Sequence, residues 1–458
     1  MKFHLKALLQ NEGWIENAVL TTDEEGVIRS IEPDQESAGC DEIISGYVLP
    51  GFQNAHSHSF QYAMAGIAER HFKDSSADDF WGWRNAMYKI ALSVSPEQFE
   101  SIAAMLYAEL LRHGYTNVAE FHYLHHDIYG KAYINPAEMG SRLVSAAKRT
   151  GINITLIPIF YQKGGFGKPP EDAQRRFISP DLPEYTRLFE ASQKAADEYE
   201  GANTAIGIHS MRGVEPETIV AAAEEMPRNI PFHIHIAEQL KEVADCEAFL
   251  GSRPVEWMLG NLDLSDRFHF VHATHLTGKE IYELARSKTN VVLCPTTEGN
   301  LGDGIFPLRK FHDHGGNWSI GTDSHVSLNP FEELRLLDYG QRTVSHSRNT
   351  FAVRGHENSA AFAIDQALLA GRRAMNNYES RYFKVGEPFN ACIISDKHPL
   401  IQTASKDNLL NTILYSTDET AQTGTISRGR LVSIDGKHIQ QDEFVADFVK
   451  TMKGLDIR

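Results

Sequence analysis

Pro231-Phe232-His233-Ile234-His235-Ile236-Ala237-Glu238 is a short apolar run of strand-forming residues that stops on an imidazole and then a carboxylate. Seven further runs of this kind lie at 47–53, 116–122, 152–160, 204–209, 267–272, 290–294 and 318–322, separated by longer helical patterns. Several are nearly continuous in apolar residues, as strands covered on both faces by helices are. Eight such units in alternation predict an α/β chain, a (β/α)8 barrel of the TIM type, with its reactive groups at the C-terminal strand ends.

The intervening segments carry helix signals. After Pro96, the residues Phe99, Ile102, Ala103, Leu106 and Leu110 share one helical face, and Gly114 stops the run. Beyond the eighth strand, Asn329, Pro330 and Glu332 supply an N-cap, an N1 proline and an N3 carboxylate. The flanks hold shorter strand-like runs, such as 391–395 and 430–434. Residues 1–48 and 385–458 are therefore expected to pair into one small β-sandwich-like domain beside a catalytic barrel at 49–384.

Composition narrows the function classes. With 458 residues, 42% hydrophobic and 23% charged, the chain is long enough for one large domain and a smaller one. A formal net charge of -17, spread along the whole chain, opposes adhesion to nucleic acid or anionic lipid. No stretch approaches the roughly 18 apolar residues of a membrane span, and Met1 to Leu9 lacks the apolar run of an export signal, so a cytoplasmic setting is expected. Cys40, Cys246, Cys294 and Cys392 form no C-x-x-C pair and read as reduced packing residues.

The chemistry sits at the strand ends. His56 and His58 leave the first strand at i, i+2, so both imidazoles face one side of extended backbone. In a chain with 21 histidines that pair alone carries little weight. The fifth strand adds His235 and then Glu238, the sixth ends at His272 and the eighth leads into Asp323. Taken singly, each is better read as a hydrogen-bonded structural residue. Their recurrence at four of eight strand ends favours a common site. Three neutral imidazoles and a carboxylate suit one divalent ion, most simply Zn²⁺, with a place left for water. His56, His58, His235 and Asp323 are assigned as its ligands. His233 has the parity of His235 but lies deeper, and it is expected to be a packed histidine. His122, His125, His126, His269 and His275 are read in the same way.

These strand-end residues resemble the amidohydrolase superfamily, in particular its mononuclear deaminase branch. The binuclear branches carry a carboxylated lysine near the fourth strand, where this chain has Ile208-His209-Ser210-Met211-Arg212. Longer matches are similar to the formimidoylglutamate deiminases. They include His56 to Gln61, Phe80-Trp81-Gly82-Trp83-Arg84, Ala119 to Tyr123, His233 to Gln239, Asn300 to Pro307 and Asp323 to Leu328. The segment Pro295-Thr296-Thr297-Glu298-Gly299 and the C-terminal flank depart from that pattern.

The resemblance implies hydrolytic deimination of N-formimino-L-glutamate to N-formyl-L-glutamate and ammonia, a step of histidine degradation. Glu238, His272 and Asp323 would be the catalytic groups, and Gln61, Arg84, Tyr123, His209 and Arg212 would bind substrate. Asp323 orients water and accepts its proton, Glu238 shuttles a proton to nitrogen, and His272 is an electrostatic partner. Two arginines suit a substrate with two carboxylates, although a surface ion pair explains either one equally well. The aromatic run at Phe80 to Trp83 is expected to position Arg84. The resemblance also implies a homodimer. Two other readings remain: a sister deaminase acting on a nucleobase or related heterocycle, and a barrel without catalysis that has a regulatory role.

Overall fold

The computed structural model describes residues 1–67, 69, 80–352 and 358–455. Eight parallel strands form the barrel sheet: Phe52–Ser57, Tyr115–His122, Asn153–Phe160, Ile206–Ser210, Phe232–Ile236, Phe268–His272, Asn290–Leu293 and Asn317–Ile320. They pair in sequence order, each with the next. A short strand, Ala202–Thr204, pairs with the third ahead of the fourth.

The first and eighth strands meet without a regular ladder. Thr322 and Asp323 donate their backbone N–H groups to the His56 carbonyl at 3.2 and 3.1 Å, and His58 N–H reaches Asp323 O at 3.3 Å. The Asn54 side chain spans the same gap, donating its Nδ2 to Thr322 Oγ1 and accepting the Thr322 backbone N–H at Oδ1. Gly321 permits this approach, since a Cβ there would lie 2.8 Å from the His56 carbonyl oxygen.

The first expected run, 47–53, spans two structures. Its opening residues end the strand Glu42–Pro50 of a second sheet, and the barrel strand starts at Phe52. The chain passes between the sheets at Pro50-Gly51, where a Cβ on the glycine would collide with the Thr116 side chain.

That second sheet joins the two flanks. Its order is 437–438, 430–434, 422–427, 391–394, 42–50, 2–10, 13–22 and 28–32, and the flanks meet where Ala391 to Ile394 run antiparallel to Pro50 to Tyr47.

Local signals explain the helices. Ser95 and Gln98 form a reciprocal capping box at the start of Pro96–Arg112, whose apolar face is buried. Asn329 caps Pro330–Ser345 by accepting from Phe331 N–H, while Glu332 takes the Ser327 hydroxyl instead of closing a box. Among the described residues no helix is long and apolar enough to cross a membrane.

Candidate metal centre and active-site pocket

Three imidazole Nε2 atoms converge at the C-terminal mouth of the barrel. His56 Nε2 lies 3.1 Å from His58 Nε2 and 3.0 Å from His235 Nε2. Their other nitrogens decide what this means. His58 Nδ1 donates to the Phe121 carbonyl at 2.6 Å, and His235 Nδ1 donates to the His209 carbonyl at 2.8 Å. Both rings therefore turn an unprotonated Nε2 inward. Asp323 Oδ1 completes the group, 3.5 Å from His56 Nε2 and 3.3 Å from His58 Nε2.

Burial keeps the three rings neutral. It lowers His56 to about 3 despite the nearby Asp323 carboxylate, depresses His58, and holds His235 far below the ordinary imidazole value. Burial opposes ionisation of Asp323 too, but the imidazoles of His56, His58 and the cationic His272 beside it hold it well below the usual carboxylate range. Lone pairs facing lone pairs, with an anion beside them, is the donor chemistry of a cation site. The residues fit a divalent ion.

The backbone around the group is bent. His272, Ala273, Asp323, His325 and Ala237 all have positive φ, between 47° and 68°. Non-glycine residues adopt this region at a cost, and such outliers gather at sites that aim a side chain.

His272 faces the same centre from the other side. Its Nε2 is 3.7 Å from Asp323 Oδ2 and 3.9 Å from Glu238 Oε1, while its Nδ1 donates to Glu298 Oε1 at 3.3 Å. Burial alone would discharge the ring, but Glu238, Glu298 and Asp323 outweigh it and raise His272 to about 10. Burial also raises Glu238, with Glu242 and Asp323 adding to the effect against the charges of His272 and Arg212.

Above this floor opens a pocket lined by His58, His235, Glu238, His272 and Asp323, together with Gln61, Arg84, Tyr123, His209 and Arg212. Every residue expected to bind substrate is thus on its wall. Gln61 Nε2 donates to Tyr123 Oη at 3.0 Å. Arg212 Nη2 is 3.5 Å from Glu238 Oε2, and its Nε is 3.9 Å from Glu242. Arg84 lies 3.8 Å from Glu171 and over the Tyr88 ring. Of the aromatic run, Trp83 lines the pocket, whereas the side chains of Phe80 and Trp81 lie outside the described residues.

The family profile now bears on this geometry. The description "Amidohydrolase family" matches residues 47–432. The chain belongs to the amidohydrolase family. It is 40% identical over 456 residues to the formimidoylglutamate deiminase of Pseudomonas aeruginosa, covering 99% of both chains. Among solved structures it resembles an amidohydrolase from Brucella melitensis, with a TM-score of 0.93 and 38% identity over 99% of each chain. It also shares its fold with a zinc-bound adenosine deaminase from Xanthomonas campestris, at a TM-score of 0.80 and 20% identity, over 99% of this chain and 98% of that one.

Other polar residues near the site carry structural duties. His233 Nε2 donates to the Ala374 carbonyl, and its ring stacks on His269. His125 and His126 bond carbonyls of Ile159 and Ile178, while His122 and His275 stand outside the pocket wall.

Three residues that sequence reasoning does not single out complete this amidohydrolase site. Glu298 holds His272. Glu120 is buried, pushed up to about 7 by burial, and accepts from Ser57 Oγ and Ser59 N–H on either side of His58. Cys294, expected to be a packing residue, offers its sulfur within 4.8 Å of donor atoms of His272 and Asp323.

Proposed function

We propose that this chain is a metal-dependent formimidoylglutamate deiminase, which hydrolyses N-formimino-L-glutamate to N-formyl-L-glutamate and ammonia. One observation carries the reading above the others: 40% identity to the Pseudomonas enzyme along the full length of both chains. The two arginines on the pocket wall agree with it, since the substrate has two carboxylates.

In this reading His56, His58, His235 and Asp323 hold one zinc ion. When bound, the ion supplies Lewis acidity and brings the pKa of water to about 7. Asp323 accepts a proton from the attacking water as oxygen adds to the formimino carbon. Glu238, beside Asp323 and raised by burial, delivers a proton to the imino nitrogen, is recharged by the proton that Asp323 took from water, and passes that second proton to the departing ammonia as the adduct's hydroxyl proton returns to the carboxylates. His272, cationic between three carboxylates, steadies negative charge that develops on oxygen. Arg84 and Arg212 orient the diacid, with Gln61, Tyr123 and His209 shaping the space between them and the reacting carbon.

The same reading divides the chain into a catalytic barrel at 49–384 and a β domain built from 1–48 and 385–458. The deciding experiment is ammonia release from N-formimino-L-glutamate by zinc-loaded protein, run beside guanine, cytosine and adenosine. Turnover of the formimino compound alone supports the proposal. Turnover of a nucleobase or nucleoside alone overturns it in favour of a sister deaminase.

A further inference from the structure

The carboxylate of Asp323 is divided between two neighbourhoods. Its Oδ1 faces His56 and His58, while its Oδ2 faces His272 Nε2 at 3.7 Å. On that second side lies Cys294, at the end of the seventh barrel strand. His272, Cys294 and Asp323 each offer a donor atom within 4.8 Å of the others, and all three residues are buried. An imidazole nitrogen, a thiol and a carboxylate are a ligand set for a borderline or soft cation.

A second observation points the same way. Glu298 Oε1 takes the Nδ1–H of His272, and its own place is fixed by the Cys294 backbone N–H at 2.9 Å. A carboxylate on one imidazole nitrogen is the usual support of a metal-binding histidine, because it sets the tautomer and makes the other nitrogen a better donor. It aims His272 Nε2 at the gap that Asp323 and Cys294 border. Zinc–sulfur and zinc–nitrogen bonds of about 2.3 and 2.0 Å place neighbouring donors roughly 3.5 Å apart, so small side-chain shifts close this triad on an ion.

We propose that His272, Cys294 and Asp323 form a second, weaker site for a thiophilic divalent cation, which shares Asp323 with the three-histidine centre. The assignment rests on reading that centre as a metal site. Two features make the second site weaker. It has three protein donors, one of them shared, and two cations would face each other across a single carboxylate. Binding forms a metal–sulfur and a metal–nitrogen bond and releases the Cys294 thiol proton, with the His272 Nε2 proton, to solvent. Nothing is oxidised or reduced. An ion there occupies His272 and Asp323 Oδ2, the groups that the deiminase reading needs for catalysis, so occupancy inhibits.

The test is a cadmium titration of protein that has been dialysed to one equivalent of zinc, followed by the ultraviolet thiolate-to-cadmium charge-transfer band. The band is expected to saturate at one cadmium per chain, with activity lost in parallel. Cys294→Ala and Cys294→Val should keep the zinc and lose both band and inhibition. A wild-type titration without a band overturns the proposal. So does a band that survives both substitutions, since Cys40, Cys246 or Cys392 would then be its source.

If both variants lose their zinc, anomalous diffraction from cadmium-soaked wild-type crystals decides. A peak among His272, Cys294 and Asp323 supports the site, and cadmium only at the three histidines overturns it. The optical and diffraction measurements need no substrate. A protein inert toward N-formimino-L-glutamate that still binds this cadmium overturns the deiminase reading and leaves the second site standing.

Discussion

The Nδ1 atom of His272 stands 3.3 Å from Oε1 of Glu298, a carboxylate in the first turn of the helix Pro295–Leu301 that is itself tethered to the Cys294 backbone. This contact sets which nitrogen of His272 faces Glu238 and Asp323. Glu298→Leu should lower kcat by about ten- to a hundred-fold, because a hydrogen bond to a charged group is worth about 1.5 to 3 kcal/mol. Glu298→Gln keeps an acceptor and should lose less. The check is kcat and KM for both variants at matched metal content. Equal rates for wild type and Glu298→Leu would show that His272 keeps its pose unaided.

Glu238→Gln should fold and retain its metal while kcat falls by on the order of 10²-fold or more, since an amide keeps the shape but cannot cycle a proton. Metal analysis must accompany the kinetics. A variant that is slow only because it has lost the ion would make Glu238 a ligand.

Arg84→Met and Arg212→Met should each reduce kcat/KM for N-formimino-L-glutamate by about ten- to a hundred-fold. An analogue without the corresponding carboxylate should respond much less. The two variants should differ in pH dependence, because only Arg212 lies 3.5 Å from Glu238. Its positive charge favours the ionised carboxylate, so removing it raises the Glu238 pKa further. The alkaline limb of the kcat/KM profile, where protonated Glu238 is lost, should therefore move to higher pH in Arg212→Met and stay in place in Arg84→Met. Parallel profiles would separate Arg212 from the proton shuttle.

Chelation should abolish turnover and also lower the melting temperature, with both restored by zinc. An ion bound to the native state alone adds about 2.7 kcal/mol at a hundredfold excess over Kd. Calorimetry with and without chelator measures this, and an unchanged melting temperature would remove the ion from the folded state's energetics.

Much of this was legible because barrels put their chemistry at fixed addresses. His56, His58, His235, His272 and Asp323 stand at or just beyond strand ends, so counting strands was enough to gather them. Glu298 escaped because it sits inside the helix Pro295–Leu301, where a carboxylate in the first turn reads as a capping residue. Cys294 escaped because a lone buried cysteine carries no spacing signal. Glu120 was hidden in an apolar strand, and its partners Ser57 and Ser59 are distant in sequence. The first strand was misplaced because the Pro50-Gly51 break inside the run 47–53 was not read as the switch between two sheets.

The barrel seam has a consequence for assembly. Strands one and eight touch through Asn54, His56, Thr322 and Asp323 in place of a regular ladder, and the donors proposed for the ion, His56 and Asp323 among them, come from both sides of that join. An ion coordinated there acts as a clasp on a ring that is otherwise fastened lightly. It would bind at full strength only after the last strand has found the first, so metal uptake during refolding would be a clock for ring closure. A chain halted before residue 323 would have a floor of histidines and nothing to fasten.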